Sequence, residues 1–388
     1  MMFDKIFKRK QQVTEEPAKV EEKEVNEPKN ETEEEYTKVY HLIVLDESGS
    51  MHCVTRQTIS GCNETIQTIR LMQDNNKDTQ KHYVSIYLFD SGCSRYIVHN
   101  QPVSEVRDIT EKDYHPNSLT PLFDALGYTL NELDEIMAQP ETLGYVTIIT
   151  DGMENDSRMY GLEAVRALID KLKKRDVIFS FIGANIDAAS YASSLNIANS
   201  MQFQQDDDGM RDMWGRERRS KMRSGATMSF MKKFHKEEFD SCFCAQENTG
   251  NYYKEEVDKA RITPQVVKHL KENEVFVFGS NPEGHHTEGT AGYAALCFGA
   301  IQGQAEGLQG QSYAIPDKNV TEEKLYEAIC RFIDYAAQHP ELTFYVTHIG
   351  CYTGGVGVYN VAPMFRKAVK LKNVKLPEEF WQFNSLDF

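Results

Sequence analysis

The side chains in this sequence best suited to chemistry are oxygen donors. Asp46-Glu47-Ser48-Gly49-Ser50 follows directly on the apolar run 39–45. Mostly β-prone residues ending in Asp-x-Ser-x-Ser read as a buried strand that carries ligands on its C-terminal tip. A carboxylate and two hydroxyls on one tight turn suit a hard divalent cation such as Mg²⁺, which prefers oxygen ligands in octahedral geometry. Such a cation needs further donors from elsewhere in the chain, and two segments offer them. One is Thr120, in Ser118-Leu119-Thr120-Pro121-Leu122; the other is Asp151, which with Gly152 ends the apolar run 146–150. The plainer alternative is a set of ordinary strand-end turns. His52 reads as an exposed loop histidine rather than a transition-metal ligand, and Met153 to Ser157 as a solvated acidic loop.

A second set of candidates works through the backbone. The buried-type strand 275–278 ends in Gly279-Ser280-Asn281 and runs through a loop containing His286, Gly289 and Thr290 into a helix from about Tyr293. The strand 342–349 ends in Gly350, and Gly354, Gly355, Val356 and Gly357 follow before a helix from Val361. Glycines at a strand-to-helix turn let backbone N–H groups approach a phosphate. Neither loop is a Walker A motif or a Rossmann fingerprint, because the Gly-Lys-Ser/Thr ending and the glycine spacing are missing. Two such loops could cradle the phosphates of a dinucleotide or nucleoside diphosphate; the alternative is that the glycines serve only tight packing. His285, His286, Glu283 and Glu288 flank the first loop and could activate water or bind metal, but sequence alone does not set their reach.

The elements that must position these residues alternate. Strands are expected at 39–45, 82–90, 145–150 and 177–183, with a hairpin partner near 94–98 and helices near 62–72, 122–137 and 161–174. That alternation predicts an α/β fold, a doubly wound and mainly parallel sheet with ligands at the carboxyl ends of its strands. From Glu274 the pattern restarts, which predicts a second, smaller α/β domain. The expected organisation is a disordered acidic tail over 1–36, a first domain over 37–235, a connector over 236–271 and a second domain over 272–388.

Composition narrows the partners. The net charge of -16 argues against bulk nucleic-acid binding. Residues 211–236 invert that charge with a run of Arg and Lys, which fits a phosphate-binding segment, a surface that folds back on the acidic tail, or a solvated face. Residues 1–10 mix basic and apolar side chains and could form a short docking handle. Eight cysteines without a spacing framework, and no signal peptide, point to reduced thiols in the cytoplasm. No apolar run is long enough to span a membrane.

Asp46-x-Ser48-x-Ser50, Thr120-Pro-Leu and the strand ending in Thr150-Asp151-Gly152 together resemble the metal-ion-dependent adhesion site of von Willebrand factor A (vWA) domains, from about Thr37 to about residue 235. The resemblance implies Mg²⁺ or Mn²⁺ held directly or nearly so by Ser48, Ser50 and Thr120. It further implies that Asp46 and Asp151 neutralise the cation, partly through water, and that one position stays open for an acidic residue of a protein partner. Phe278-Gly-Ser-Asn281, His286 to Gly289, the run from Glu306 to Pro316, His339-Pro340 and Ile349-Gly-Cys351 resemble macrodomains, and more closely a macrodomain-like family of phage-encoded proteins. That resemblance implies binding of ADP-ribose or a related nucleotide. The leading expectation is a protein-interaction module coupled to a nucleotide-binding one. Its rivals are a hydrolase of ADP-ribosyl linkages or NAD-derived signals, and an assembly protein of a phage or phage-derived system.

Overall fold

The computed structural model describes residues 36–184, 186–255, 257–352 and 355–384. The acidic tail, the handle at 1–10 and Gly354 lie outside the described residues. The first sheet is built from β1 (Thr37–Asp46), β2 (Gln80–Phe89), β3 (Arg95–Pro102), β4 (Thr142–Thr150), β5 (Val177–Ala184) and β6 (Ser200–Phe203), in the order β3-β2-β1-β4-β5-β6. β3 alone runs antiparallel, and it sits at an edge. The order in which strands are added to the sheet reverses between β1 and β4, which pair in parallel from Lys38 against Thr142 to Leu45 against Ile149. The strand ends there are the switch point, where helices on opposite faces leave a crevice.

Both faces of the sheet are covered, so the strands are apolar almost without break. Tyr40, Leu42 and Val44 point to one core with α2 (Leu122–Ile136), α3 (Leu162–Lys173) and α4 (Ala188–Ser194). Val39, Ile43 and Leu45 alternate to the other face, under α1 (Thr55–Asn75) and α5 (Asp207–Phe234). α1 and α5 approach so closely that a Cβ on Gly61 would lie 2.2 Å from the Trp214 ring. Phe243, Cys244, Tyr252 and Tyr253, from α6 (Lys236–Glu247) and the turn beyond it, fill the same core.

The basic stretch 211–236 falls mostly in α5, where Lys221 and Arg223 are buried while Arg211, Arg219 and Lys233 stay exposed. Asp206 caps it by accepting from Gly209 N at 2.7 Å, and Asp207 and Asp208 against Lys232 and Lys233 complement its dipole. Glu217 and Lys221 are almost wholly buried and pair at 3.2 Å. Glu217 also accepts from Thr147 Oγ1 at 3.1 Å and from Tyr253 OH at 2.7 Å. Arg219 meets Glu255 at 2.7 Å, Lys232 meets Glu141 at 3.1 Å and Lys233 meets Glu322 at 2.7 Å. A buried pair survives only with its hydrogen bonds satisfied, which explains why neutral donors crowd Glu217.

The second sheet has the order β11-β10-β7-β9-β8, from β7 (Glu274–Ser280), β8 (Gly307–Gln309), β9 (Ser312–Pro316), β10 (Thr343–Val346) and β11 (Val374–Lys375). Only the β8–β9 pair is antiparallel. α7 (Gly289–Cys297), α8 (Glu322–Gln338), α9 (Val358–Val361) and α10 (Glu378–Phe383) complete it, with a 3₁₀ stretch over Ala362–Lys370 where a regular helix is expected. Phe230 and Met231 of α5 enter this second core, so one helix serves both sheets. The chain from Tyr36 onward forms one compact unit. Among the described residues no helix is long and apolar enough to cross a membrane, and all eight cysteines are free.

Candidate functional site

At the switch point of the first sheet, Asp46 ends β1 and is fully buried. Its Oδ1 accepts from Ser48 N at 2.7 Å, which closes the turn and brings the Ser48 hydroxyl over the strand end. Its Oδ2 accepts from Thr150 Oγ1 at 2.6 Å, which ties the ends of β1 and β4 together. Ser48 Oγ lies 3.1 Å from Ser50 Oγ, and Ser50 Oγ donates to Asp151 Oδ1 at 2.7 Å. Thr120 is buried just before α2, and a Cβ on Gly152 would lie 3.3 Å from its hydroxyl. Asn155 holds that loop, accepting from Thr120 N at 2.8 Å and donating its own N–H to Thr120 O at 3.2 Å. Asp46, Ser48, Ser50 and Asp151 are thus brought into one hydrogen-bonded cluster, with Thr120 against its edge.

The charge balance of the cluster is negative. Burial pushes the Asp46 carboxyl up to about 6, with the Asp151 charge adding to the rise and hydrogen bonds from Thr150 and Ser48 opposing it. No cation is among those influences. Two carboxylates and three hydroxyls, all oxygen, are a donor set that fits a hard divalent ion. Among the described residues no group of three or more His, Cys, Asp or Glu could hold a metal, so hydroxyls are essential to this set.

Sequence reasoning missed several supports. Gln205, just before α5, donates to Asp151 Oδ2 and, at 2.8 Å, to Ser50 O. Glu47 is buried beside the cluster and pairs with Arg95 at 2.5 Å. The acidic loop is partly solvated, with Met153 and Asn155 exposed, and is also ordered by Glu154, which accepts from Phe123 N at 2.8 Å, at the start of α2, and from Ser157 Oγ at 2.7 Å. His52 is exposed.

The second set of candidates divides in two. At the first loop, Asn281 Oδ1 accepts from His285 N at 2.8 Å and shapes the turn into α7. A polar cavity of about 250 Å³ is lined there by Gly279, Ser280, Asn281, His285, Thr287 and Lys318. On the other side of the first turn of α7 lies a more apolar cavity of about 630 Å³, lined by Phe276, Val267, Tyr293, Val346, Thr290 and His348. Gly289, at φ +56°, lines the larger cavity, and its neighbour Glu288 lines the smaller one. His286 lines neither. It is buried, its Nε2 lies 2.9 Å from Ser280 Oγ, and its ring meets Phe278 edge-on.

The second loop is folded on itself. Gly355 N donates to Tyr352 O at 2.8 Å and Gly357 N to Gly350 O at 3.1 Å, while Gly350 N donates to Asp317 Oδ2 at 2.8 Å. Gly350, Gly355, Val356 and Gly357 line neither cavity. Gly355 answers to crowding, since a Cβ on it would lie 2.5 Å from Gly350 O, whereas Gly357 has open space and answers to its φ of +88°. Asp317 is the residue that sequence reasoning passed over. Its signal, an acid directly after the strand Ser312–Pro316, is the same one that marks Asp46 and Asp151.

Strand order, register and the oxygen cluster define the class: a doubly wound α/β protein with an acidic, hydroxyl-rich centre at its switch point. No protein-family model matches the chain, and no curated protein does. Among solved structures, the chain is similar to the manganese-loaded TRAP protein of Plasmodium vivax, at 21% identity and a TM-score of 0.28 over 38% of this chain and 57% of that one. It is similar to proximal thread matrix protein 1 from the mussel byssus at 16% identity and a TM-score of 0.33, over 46% of this chain and 45% of that one. It is also similar to the VWA domain of SpRpn10 at 10% identity and a TM-score of 0.32, over 45% of this chain and 92% of that one. The match spans about half the length of the first two. The fold stands on its own strand order rather than on these likenesses.

Proposed function

We propose that the chain is a cation-dependent protein-binding module of the vWA type, joined to an α/β domain that binds ADP-ribose or a related nucleotide. The observation that carries the reading is the cluster of Asp46, Ser48, Ser50 and Asp151 at the switch point, two converging carboxylates with no cationic partner among the described residues. Ser48, Ser50 and Thr120 would hold Mg²⁺ or Mn²⁺, with Asp46 and Asp151 balancing its charge. A bound cation supplies an open position for a carboxylate oxygen of a partner. Leu119 and Met153, half or more exposed beside Thr120 and Asp151, would flank that partner residue. Support for the nucleotide comes from two cavities lined in part by the start of α7 and the residue before it, a more apolar one with ample room for a base and a polar one with room for a sugar.

Thermal melting of the full chain with Mg²⁺ and with EDTA tests the first half, with Asp46→Ala as control. The expected result is a Mg²⁺-dependent rise in Tm in the parent alone; equal shifts in both proteins would sink the cation site. Calorimetric titration of ADP-ribose and AMP into the full chain tests the second half, and heat without saturation for either ligand would sink the nucleotide site.

A further inference from the structure

We propose that Asp317, directly after β9, positions the second glycine loop: its carboxylate is the fixed acceptor for Gly350 N after β10, while its backbone N–H holds the end of β7. Asp317 follows β9. Its own N–H donates to Ser280 O at 2.9 Å, at the end of β7. Its Oδ2 accepts from Gly350 N at 2.8 Å, in the loop after β10, and its carbonyl accepts from Tyr352 OH at 2.9 Å in the same loop. The loop turns on Gly350, at φ +68°, and closes back on that residue through Gly357 N. The acceptor therefore holds the residue about which the described part of the loop is folded.

Two features set this apart from a packing accident. A Cβ on Gly279 would lie 2.2 Å from Asp317 Oδ2, so the first candidate loop begins with the one residue that admits this carboxyl. The other oxygen, Oδ1, is buried without a hydrogen-bond partner. An apolar residue would avoid that desolvation cost, so stability by itself does not account for an acid here. The ends of parallel strands are where α/β sheets hold ligands, and a side chain that costs stability there fits a positioning role. The ligand half of this inference rests on the nucleotide reading above; the loop half does not.

The test measures amide exchange by mass spectrometry, with calorimetric titration of ADP-ribose, on the full chain. Its variants are Asp317→Ala, Asp317→Asn and Gly279→Ala. Loss of a charge-assisted hydrogen bond should raise exchange in 347–357 by about tenfold or more in Asp317→Ala and, because Thr347 and His348 at the start of that segment line the larger cavity, weaken ADP-ribose by a similar factor. Exchange in the first sheet should stay at the parent level. Asp317→Asn keeps an acceptor for Gly350 N and should restore both readouts. Gly279→Ala expels the carboxyl without altering it, and should reproduce Asp317→Ala even where that variant folds poorly. Parent-level exchange in 347–357 in both Asp317→Ala and Gly279→Ala would overturn the proposal. So would a rise spread evenly over the chain, or an Asp317→Asn that behaves like Asp317→Ala. Absence of ADP-ribose binding by the parent would remove the nucleotide reading, while the exchange comparison would still decide the role of Asp317 in the loop.

Discussion

Asp46 and Asp317 are both buried carboxylates at the carboxyl ends of parallel strands, and both are pushed up to about 6. The routes differ. At Asp46 burial acts with the charge of Asp151, and both oxygens are hydrogen-bonded, to Ser48 N and Thr150 Oγ1. At Asp317 burial acts without a like charge among its influences, the Gly350 N–H and Lys318 oppose it, and one oxygen has no partner. Repulsion between two carboxylates is relieved by a cation; an isolated desolvated acid is relieved by a proton or a donor. The first site therefore reads as a collector of positive charge and the second as a clamp on backbone.

The largest way to break the comparison is to remove the scaffold under both sites. Glu217→Ala strands Lys221 in the interior and leaves Tyr253 OH and Thr147 Oγ1 without their acceptor, which should cost roughly 3–5 kcal/mol. Urea unfolding followed by probes in each sheet should show both transitions falling together, because α5 enters both cores. Separate transitions would make the two sites independent. Next in size is a pH effect. Asp317 is raised from 3.8 to about 6, so the stability it contributes is fully present below about pH 4 and lost as pH rises through about 6. Between those limits the parent should lose about 3 kcal/mol relative to Asp317→Asn, read as a difference in denaturant midpoints.

On the proposed reading a cation acts only at the first site. At about a hundredfold excess over its Kd, Mg²⁺ should stabilise the parent by about 2.7 kcal/mol and Asp46→Ala not at all. The same Asp46→Ala should leave ADP-ribose binding unchanged, and a change there would show that the sites communicate. The smallest expected effect is that of Ser50→Ala, which removes one hydroxyl and its bond to Asp151 and should cost about 1 kcal/mol without Mg²⁺. A larger loss of Mg²⁺ stabilisation than of basal stability would sharpen the assignment of Ser50 as a ligand.

The first site was legible because its chemistry lies in side-chain types at strand ends, and the nearly unbroken apolar runs before them located those ends. The second was legible only in part. Its glycines announced tight turns, but a glycine does not declare whether its N–H faces a ligand, a neighbouring carbonyl or a buried acid. Gly350, Gly355 and Gly357 all spend their N–H groups inside the protein. His286 looked like a loop ligand and is held inward by Ser280 and Phe278. The basic run of α5 was open to three readings because local sequence cannot show what covers a helix.

The sequence by itself determined the alternation of strands and helices, the acidic and hydroxyl-bearing turns after β1 and β4, and the glycine turns of the second sheet. These follow from local propensity and from the period of apolar residues, which are properties of neighbours in the chain. Only the tertiary structure decided which donors meet: Ser50 with Asp151, Asp46 with Thr150, Asp317 with Gly350, and Glu217 with Lys221 beneath Tyr253. Most of these pairings join residues far apart in sequence, and all of them depend on strand order, register and burial, which are settled only when the whole sheet packs.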